Sequence, residues 1–504
     1  MVETGALRSL AHAREELAHA RAHAFFALAA GQPRARDGAI PILVYNPHPY
    51  PLDAVIDCEF QLPDISIEET FVDIAVYHGR RRLPAQVEHE ATNLNAEWRK
   101  RIVFRARLQP SQMTRFDCVP QPRPAASTAA PPDPAAAPRA RHVAARSNDT
   151  VVRINSVTGL LDYWETSGRA VLAGPVHFAI YDDNDDPWGM AGRALGGAQC
   201  GAFRLMTPAQ AARFAGVAAH RLPPVRIIED GPVRTVVEAL LCFRSSQMCV
   251  RYILNKQSAE LGIHCRVHWN EPHLLLRAVF PTRLRRAAYC GQTVFGIQEL
   301  PANNDEAVAQ RWTALCDSQH AWAVTWCTDS GYGSRCKDGV VALTLLRSPA
   351  YAGHPIGARP VTPQDRFTPR IDTGVREFSI WAQAGPLRAR MRAVELDALR
   401  HNEAPVALAF SPPGGGTPVP PFILLTSRAV RITATKLSAD GRALIVRVFE
   451  PRGRACRAAL RLPAFGITIP LALAPFEVKT FRIQPDTCEY AEVSMLEEPL
   501  PPGA

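Results

Sequence analysis

HCRVHWNEPHLLLRAVFP, residues 264–281, holds a clear strand signal and a departure from it. Leu261, Ile263, Cys265, Val267 and Trp269 alternate with Gly262, His264, Arg266, His268 and Asn270, the period of two that one buried sheet face imposes. Glu271 and His273 then fall on the parity that had been apolar, with Pro272 between them. Taken alone, the pair reads as a strand end at which polar side chains satisfy loose backbone groups. The apolar run HLLLRAVFP follows at once and reads as the next strand.

The same pattern extends in both directions. From Asn148 to about Leu396 come TVVRINSVTGLLDYW, VRTVVEALLCF, MCVRYILN, AWAVTWC, GVVALTLLRSP and REFSIWAQAG, strands with tight turns and little helix. Over about 250 residues this predicts a large two-sheet supersandwich at 148–398. Upstream, ILVYN, AVIDCEFQL, FVDIAVYH and RKRIVFRARL predict a small antiparallel sandwich at 37–119. Between the two, 120–147 is Pro- and Ala-rich without periodicity and reads as a linker. The Pro/Gly loop SPPGGGTPVPP, 411–421, leads into a last β-sandwich within 399–486, and 487–504 reads as a disordered tail. Residues 1–36 carry the one strong helix signal, LRSLAHAREELAHARAHAFFALAA, ended by Gly31 and Pro33.

The chain has 504 residues, 47% hydrophobic and 21% charged, with a formal charge of +9. The length predicts three or four units. The cations are nearly all arginine, lysine occurring only at Lys100, Lys256, Lys337, Lys436 and Lys479, and they are spaced by apolar residues. That is the surface of a protein from a GC-rich genome rather than a nucleic-acid footprint. The twelve cysteines are scattered singly, with no C-x-x-C pair, which argues against a zinc knuckle or a disulfide scaffold and favours a reducing, cytoplasmic setting. No apolar run is long enough to span a bilayer, and MVETGALRSLAH lacks the blocks of a signal peptide.

YDDNDDPWGM, 181–190, is the most polar stretch. As a calcium loop counted from Asp182 it has Pro187 at the sixth position and Arg193 at the twelfth, where glycine and glutamate are needed. Two readings stay open: an Asp/Asn-rich turn, or a sugar contact in which Asp185 and Asp186 take hydroxyls and Trp188 stacks on a pyranose. No G-x-S-x-G elbow occurs, and GGAQCG at 196–201 follows no βαβ pattern. Glycosidase chemistry needs two carboxylates flanking one bond. No pair in this chain makes that claim from its spacing.

NPHPYPL at 46–52, then LNKQSAELGIHCRVHWNEPHLLLRAVFP, then YCG, RW and GYGSRCKDGVVALTLLRSP resemble, in order and separation, the C-terminal half of the glycoside hydrolase family 38 α-mannosidases. The matches are Trp269, Glu271, His273, Leu276, Phe280 and Pro281, then Tyr332, Gly333, Leu343, Leu345, Leu346, Arg347, Ser348 and Pro349. IVRVFEPRGRACRAALRLP and PFEVKTFRI are similar to that family's terminal sandwich. The chain departs from the pattern at Gly331, where the family has lysine, and at Leu274, where a basic residue is common.

The resemblance implies a mainly β fold with a galactose-mutarotase-like supersandwich, smaller flanking sandwiches and one N-terminal helix, the remnant of a helical middle domain. It also implies that the nucleophile, the acid/base group and zinc belong to an N-terminal barrel, so this chain supplies no catalytic residue, no metal ligand and no cofactor. Its expected partners are a mannose-containing glycan and that barrel, with neither nucleic acid nor membrane. Candidate glycan or domain contacts are Asp185, Asp186, Trp188, Trp269, Glu271, His273 and Arg347.

Three functions compete. The first is the β half of an α-mannosidase, not catalytic alone. The second is a stand-alone carbohydrate-binding β-sandwich protein. The third is an epimerase-like enzyme with Glu271 and His273 as base and acid. The N-terminal helix separates the first two: in a fragment its apolar Leu10, Leu17, Phe25, Phe26 and Leu28 stay partly exposed, and in an independent protein they are covered.

Overall fold

The structure, a computed structural model, describes residues 2–67, 70–90, 96–124, 140–183, 195–218, 220–350, 367 and 369–501. The chain divides into two compact units, one of Ala130–Asn402 with Pro451–Gly453, the other of Met1–Ala129, Glu403–Glu450 and Arg454–Ala504.

The first unit is the supersandwich. Among the described residues a ten-stranded antiparallel sheet is ordered Arg204–Leu205, Arg234–Phe243, Ser246–Asn255, Leu261–Trp269, Gly374–Pro386, Trp322–Thr328, Trp312–Asp317, Ala288–Thr293 and Gly296–Glu299, with Val225–Asp230 paired beside the second strand. Opposite lie a six-stranded sheet, in which Leu274–Pro281 pairs with His177–Asp182 and Val340–Arg347, and a four-stranded sheet built on Thr150–Asn155. One core fills the space between them, contributed by Val250, Ile263, Val267, Trp269, Trp326 and Ile380 from one side and Phe178, Leu276, Phe280 and Leu343 from the other. The alternation read in Leu261–Trp269 is real: Leu261, Ile263, Cys265, Val267 and Trp269 are buried while Arg266 is exposed. Leu274–Pro281 differs, being buried on both faces except at Pro281. Its second face packs Leu275 and Val279 against Ala179, Tyr181 and Ala342.

Two helices escape the sequence patterns. Helix α2, Pro208–Ala215, is capped by Thr207, whose hydroxyl accepts from Gln210 N–H while the Gln210 side chain accepts from Thr207 N–H. Helix α3, Leu387–Asn402, shows no apolar stripe because its buried side is partly charged. Glu395 accepts from Trp312 Nε1 at 3.0 Å and from Gln292 Nε2 at 2.9 Å, and Arg390 donates to Asp397 and Thr325, each at 2.9 Å. Every buried charge there has a partner, which is what allows it to stay.

In the second unit, the sheet Val406–Ala409, Ile40–Tyr45, Met113–Pro124, Thr70–His78 and Arg81–Leu83 faces a three-stranded sheet across a core of Ile42, Val44, Ile56, Phe104 and Phe116. A separate core, with Val446, Val448, Leu460, Ile469 and Ile483, closes the C-terminal sandwich. NPHPYPL is its own scaffold: Asn46 Nδ2 donates to Tyr50 O and Gln109 O, and Asn46 Oδ1 accepts from His48 N–H at 3.1 Å. Helix α1, Val2–Ala30, packs at its far end, where Phe25 and Ala29 meet Leu43 and Met113.

Three boundaries differ from the sequence reading. Residues 120–124 and 142–146, expected within a linker, are strand, because backbone pairing across Thr70–His78 and Thr150–Asn155 organises proline- and alanine-rich chain that has no periodicity of its own. Glu489–Val493, expected in a disordered tail, pairs with Val478–Gln484. The small sandwich does not close within 37–119, since Val406–Ala409 completes its sheet through Ile40–Tyr45.

Candidate functional site

The turn between Leu261–Trp269 and Leu274–Pro281 is built from polar groups that face inward. Glu271 is 4% exposed, and its Oε1 accepts from Ser245 N–H at 2.9 Å and from Ser246 Oγ at 3.0 Å. Ser246 Oγ in turn accepts from Asn270 N–H at 2.9 Å. The carboxylate therefore fills a core position because the neighbouring hairpin offers donors there that no hydrophobe would satisfy.

Ser348 closes the turn from the other side. Its hydroxyl donates toward Glu271 O at 2.5 Å and Leu274 O at 3.0 Å, and accepts from Trp269 Nε1 at 3.1 Å. Trp269 is 1% exposed and packs near Phe203, so its ring belongs to the core and offers no face to a sugar; the expectation of a glycan contact at Trp269 is corrected by that burial. His273 adopts a left-handed backbone, φ +56°, held by its N–H to Ser348 O at 2.9 Å and by Asp183 N–H to its own carbonyl at 2.8 Å. The His273 ring is half-buried, with Arg370 Nη1 3.4 Å from Nδ1.

Arg347 forms a two-pronged pair with Asp183, Nε to Oδ2 at 2.8 Å and Nη2 to Oδ1 at 3.0 Å, and its N–H reaches Asp372 Oδ2 at 3.3 Å. Strand ends at 182, 274 and 347 are thereby tied into one corner with Glu271 and His273. Asp185, Asp186 and Trp188 lie outside the described residues. Sequence reasoning missed Asp183, Ser348 as the hub, and Arg277. Arg277, fully buried, pairs with both Glu306 oxygens at 3.2 and 2.8 Å and donates to Leu195 O. A single arginine inside the run LLLRAVF was its available signal.

The corner holds backbone and fixes two strands; it gathers no pair of exposed carboxylates. Among the described residues no three His, Cys, Asp or Glu side chains converge as a metal site.

Residues 148–360 match the glycosyl hydrolases family 38 C-terminal domain. Alpha-mannosidase G of Dictyostelium discoideum is 27% identical over 299 residues, which span 51% of this chain and 26% of that protein. Human alpha-mannosidase 2C1 is 27% identical over 113 residues, 21% of this chain and 11% of that protein. Among solved structures, a family 38 glycosyl hydrolase from Enterococcus faecalis superposes with a TM-score of 0.67 at 14% identity, covering 91% of this chain and 60% of its own. An alpha-mannosidase from Enterococcus faecalis V583 gives 0.63 at 13%, covering 89% and 56%. The match to the family 38 C-terminal domain lies in residues 148–360, and the chain spans less than two thirds of the length of each of these relatives.

Proposed function

We propose that this chain is the supporting β portion of a retaining glycosidase for α-mannosides and does not hydrolyse glycosides by itself. The observation that carries the reading is the orientation of Glu271: the most suggestive carboxylate of the supersandwich spends its oxygen on Ser245 and Ser246 and faces away from solvent. That arrangement holds a turn and speaks against Glu271 and His273 serving as the base and acid of an epimerase, which would have to reach a ligand.

On this reading the nucleophile, the acid/base group and zinc reside on a separate catalytic segment, and α1 helps to receive it. Leu7, Leu10 and Leu17 are 56, 62 and 71% exposed, an apolar face that the unit itself leaves uncovered. The relatives' names supply the substrate class. Twelve free thiols suit a reducing, cytoplasmic setting.

The test is an assay of the full chain on an aryl α-mannoside, with and without added zinc, set beside the coding sequence upstream of Met1 read in all frames. The expected result is no turnover by the chain and a barrel-encoding segment upstream. Turnover by the chain alone would overturn the proposal.

A further inference from the structure

A concave site in the supersandwich unit has no part in the Glu271 turn. A cleft of about 490 Å³ is lined by Gln310, Arg311, Thr328, Asp329, Tyr332 and Asn402. Its walls are tied to one another through the backbone. Thr328 N–H donates to Arg311 O at 2.9 Å and Ala309 N–H to Tyr332 O at 3.0 Å. Asn402, the last residue of α3, donates through Nδ2 to Thr328 O at 3.1 Å and Ala398 O at 2.9 Å. Asp329 Oδ1 accepts from Ser379 N–H at 2.9 Å and from Ser330 Oγ at 3.0 Å, which fixes the carboxylate at the cleft's edge.

Tyr332 stands between two closely packed glycines. A Cβ on Gly331, whose φ is +78°, would lie 2.8 Å from Thr344 O, and one on Gly333 would lie 2.9 Å from Glu306 Oε1. The turn therefore presses its backbone against Val340–Arg347, over the buried Arg277–Glu306 pair, while the Tyr332 side chain is 62% exposed. An aromatic ring displayed from so fixed a backbone loses little freedom when a ligand covers it.

We propose that this cleft is a saccharide-binding subsite, in which the Tyr332 ring stacks on the C–H face of a pyranose and Asp329, Gln310, Arg311 and Asn402 hold its hydroxyls. The lining carries both signs of charge, so it selects neither an anion nor a cation, and a neutral polyhydroxylated ligand fits it. Its volume falls inside the roughly 300–1,000 Å³ typical of small-ligand pockets. That the ligand is a pyranose rests on the cleft; that it is a mannoside rests on the function proposed above.

The full chain is titrated with methyl α-mannopyranoside, an α-mannobiose and methyl β-galactopyranoside, read by saturation-transfer NMR and calorimetry, beside Tyr332→Ala and Tyr332→Trp. Binding with a Kd of roughly 0.1–10 mM is expected. Tyr332→Ala should weaken it about tenfold or more with an unchanged melting temperature, since the ring packs on no core. Tyr332→Trp should retain it. Equal affinity in Tyr332→Ala, or no transfer to any pyranoside at about 50 mM, well above that Kd range, overturns the subsite. Binding of the galactoside without the mannosides keeps the subsite and overturns the mannose reading alone.

Discussion

At Glu271 packing and hydrogen bonding disagree about what the position needs. Packing would accept an apolar residue there, since the parity of Leu261–Trp269 continues inward, yet an apolar residue would leave Ser245 N–H and Ser246 without their acceptor. Glu271→Ala is expected to lose about 1–3 kcal/mol in urea unfolding, and Glu271→Gln less, because its amide oxygen still accepts. Equal losses in the two variants would mean that the negative charge, which glutamine lacks, is what the position needs. Histidines make a separate prediction. Burial pushes His264, set edge-on to Trp381, and His48, stacked on Tyr50, each down to about 4. In the unfolded chain they titrate near 6.5, so below that value the unfolded state takes up protons that the folded state refuses. Stability is therefore full above about pH 6.5, falls as the pH drops toward 4, and levels off below, by up to about 3 kcal/mol per group. Urea midpoints followed from pH 7.5 to 4 should show that slope, and His264→Asn should flatten it; a parallel slope in the variant would remove His264 as its source.

Secondary elements were readable where one face is wet. Leu261–Trp269 announces itself by alternation, and the two glycines around Tyr332 by their motif. Helix α3 was not readable, because Arg390, Glu395 and Asp397 sit on its buried side, and no count of hydrophobes reveals charges that are satisfied by the Arg390–Asp397 pair and by hydrogen bonds to Thr325, Trp312 and Gln292. The same holds for the corner: Glu271 and His273 were conspicuous for breaking a pattern, while Ser348, their hub, looked like any serine after a strand. Gly331→Ala follows from the turn's geometry. Its Cβ would meet Thr344 O at 2.8 Å on a residue with φ +78°, so the turn should lift, lowering the melting temperature and weakening pyranoside binding together. Unchanged melting and binding would show that the turn yields freely. Along α1 the contrast lies within one helix. Phe25→Ala empties a site shared with Leu43 and Met113 and should cost about 3 kcal/mol. Leu10→Glu and Leu17→Glu, on the exposed face, should leave the melting of this chain unchanged.

Chain order conceals the division of the molecule. Sequence patterning separates a small sandwich, a supersandwich and a terminal sandwich in succession, but Val406–Ala409 returns to pair with Ile40–Tyr45, so the first and last segments of the chain share one unit. Periodicity carries no record of which distant strand a segment will meet, whereas a pairing of Ile42 with Ala409 joins positions that only folding brings together. The supersandwich has a continuous core of its own, with Trp164, Trp269 and Trp326 fully buried. It also contains both the Glu271 corner and the Tyr332 cleft. A fragment of residues 140–402 should therefore fold without the rest of the chain, since nearly all of the unit's strands and its main core lie within those limits. The expected result is a β-rich circular dichroism spectrum, one cooperative unfolding transition, and Tyr332-dependent pyranoside binding equal to that of the full chain. A fragment that binds hydrophobic dye and unfolds without cooperativity would mean that the supersandwich depends on the flanking segments for its structure.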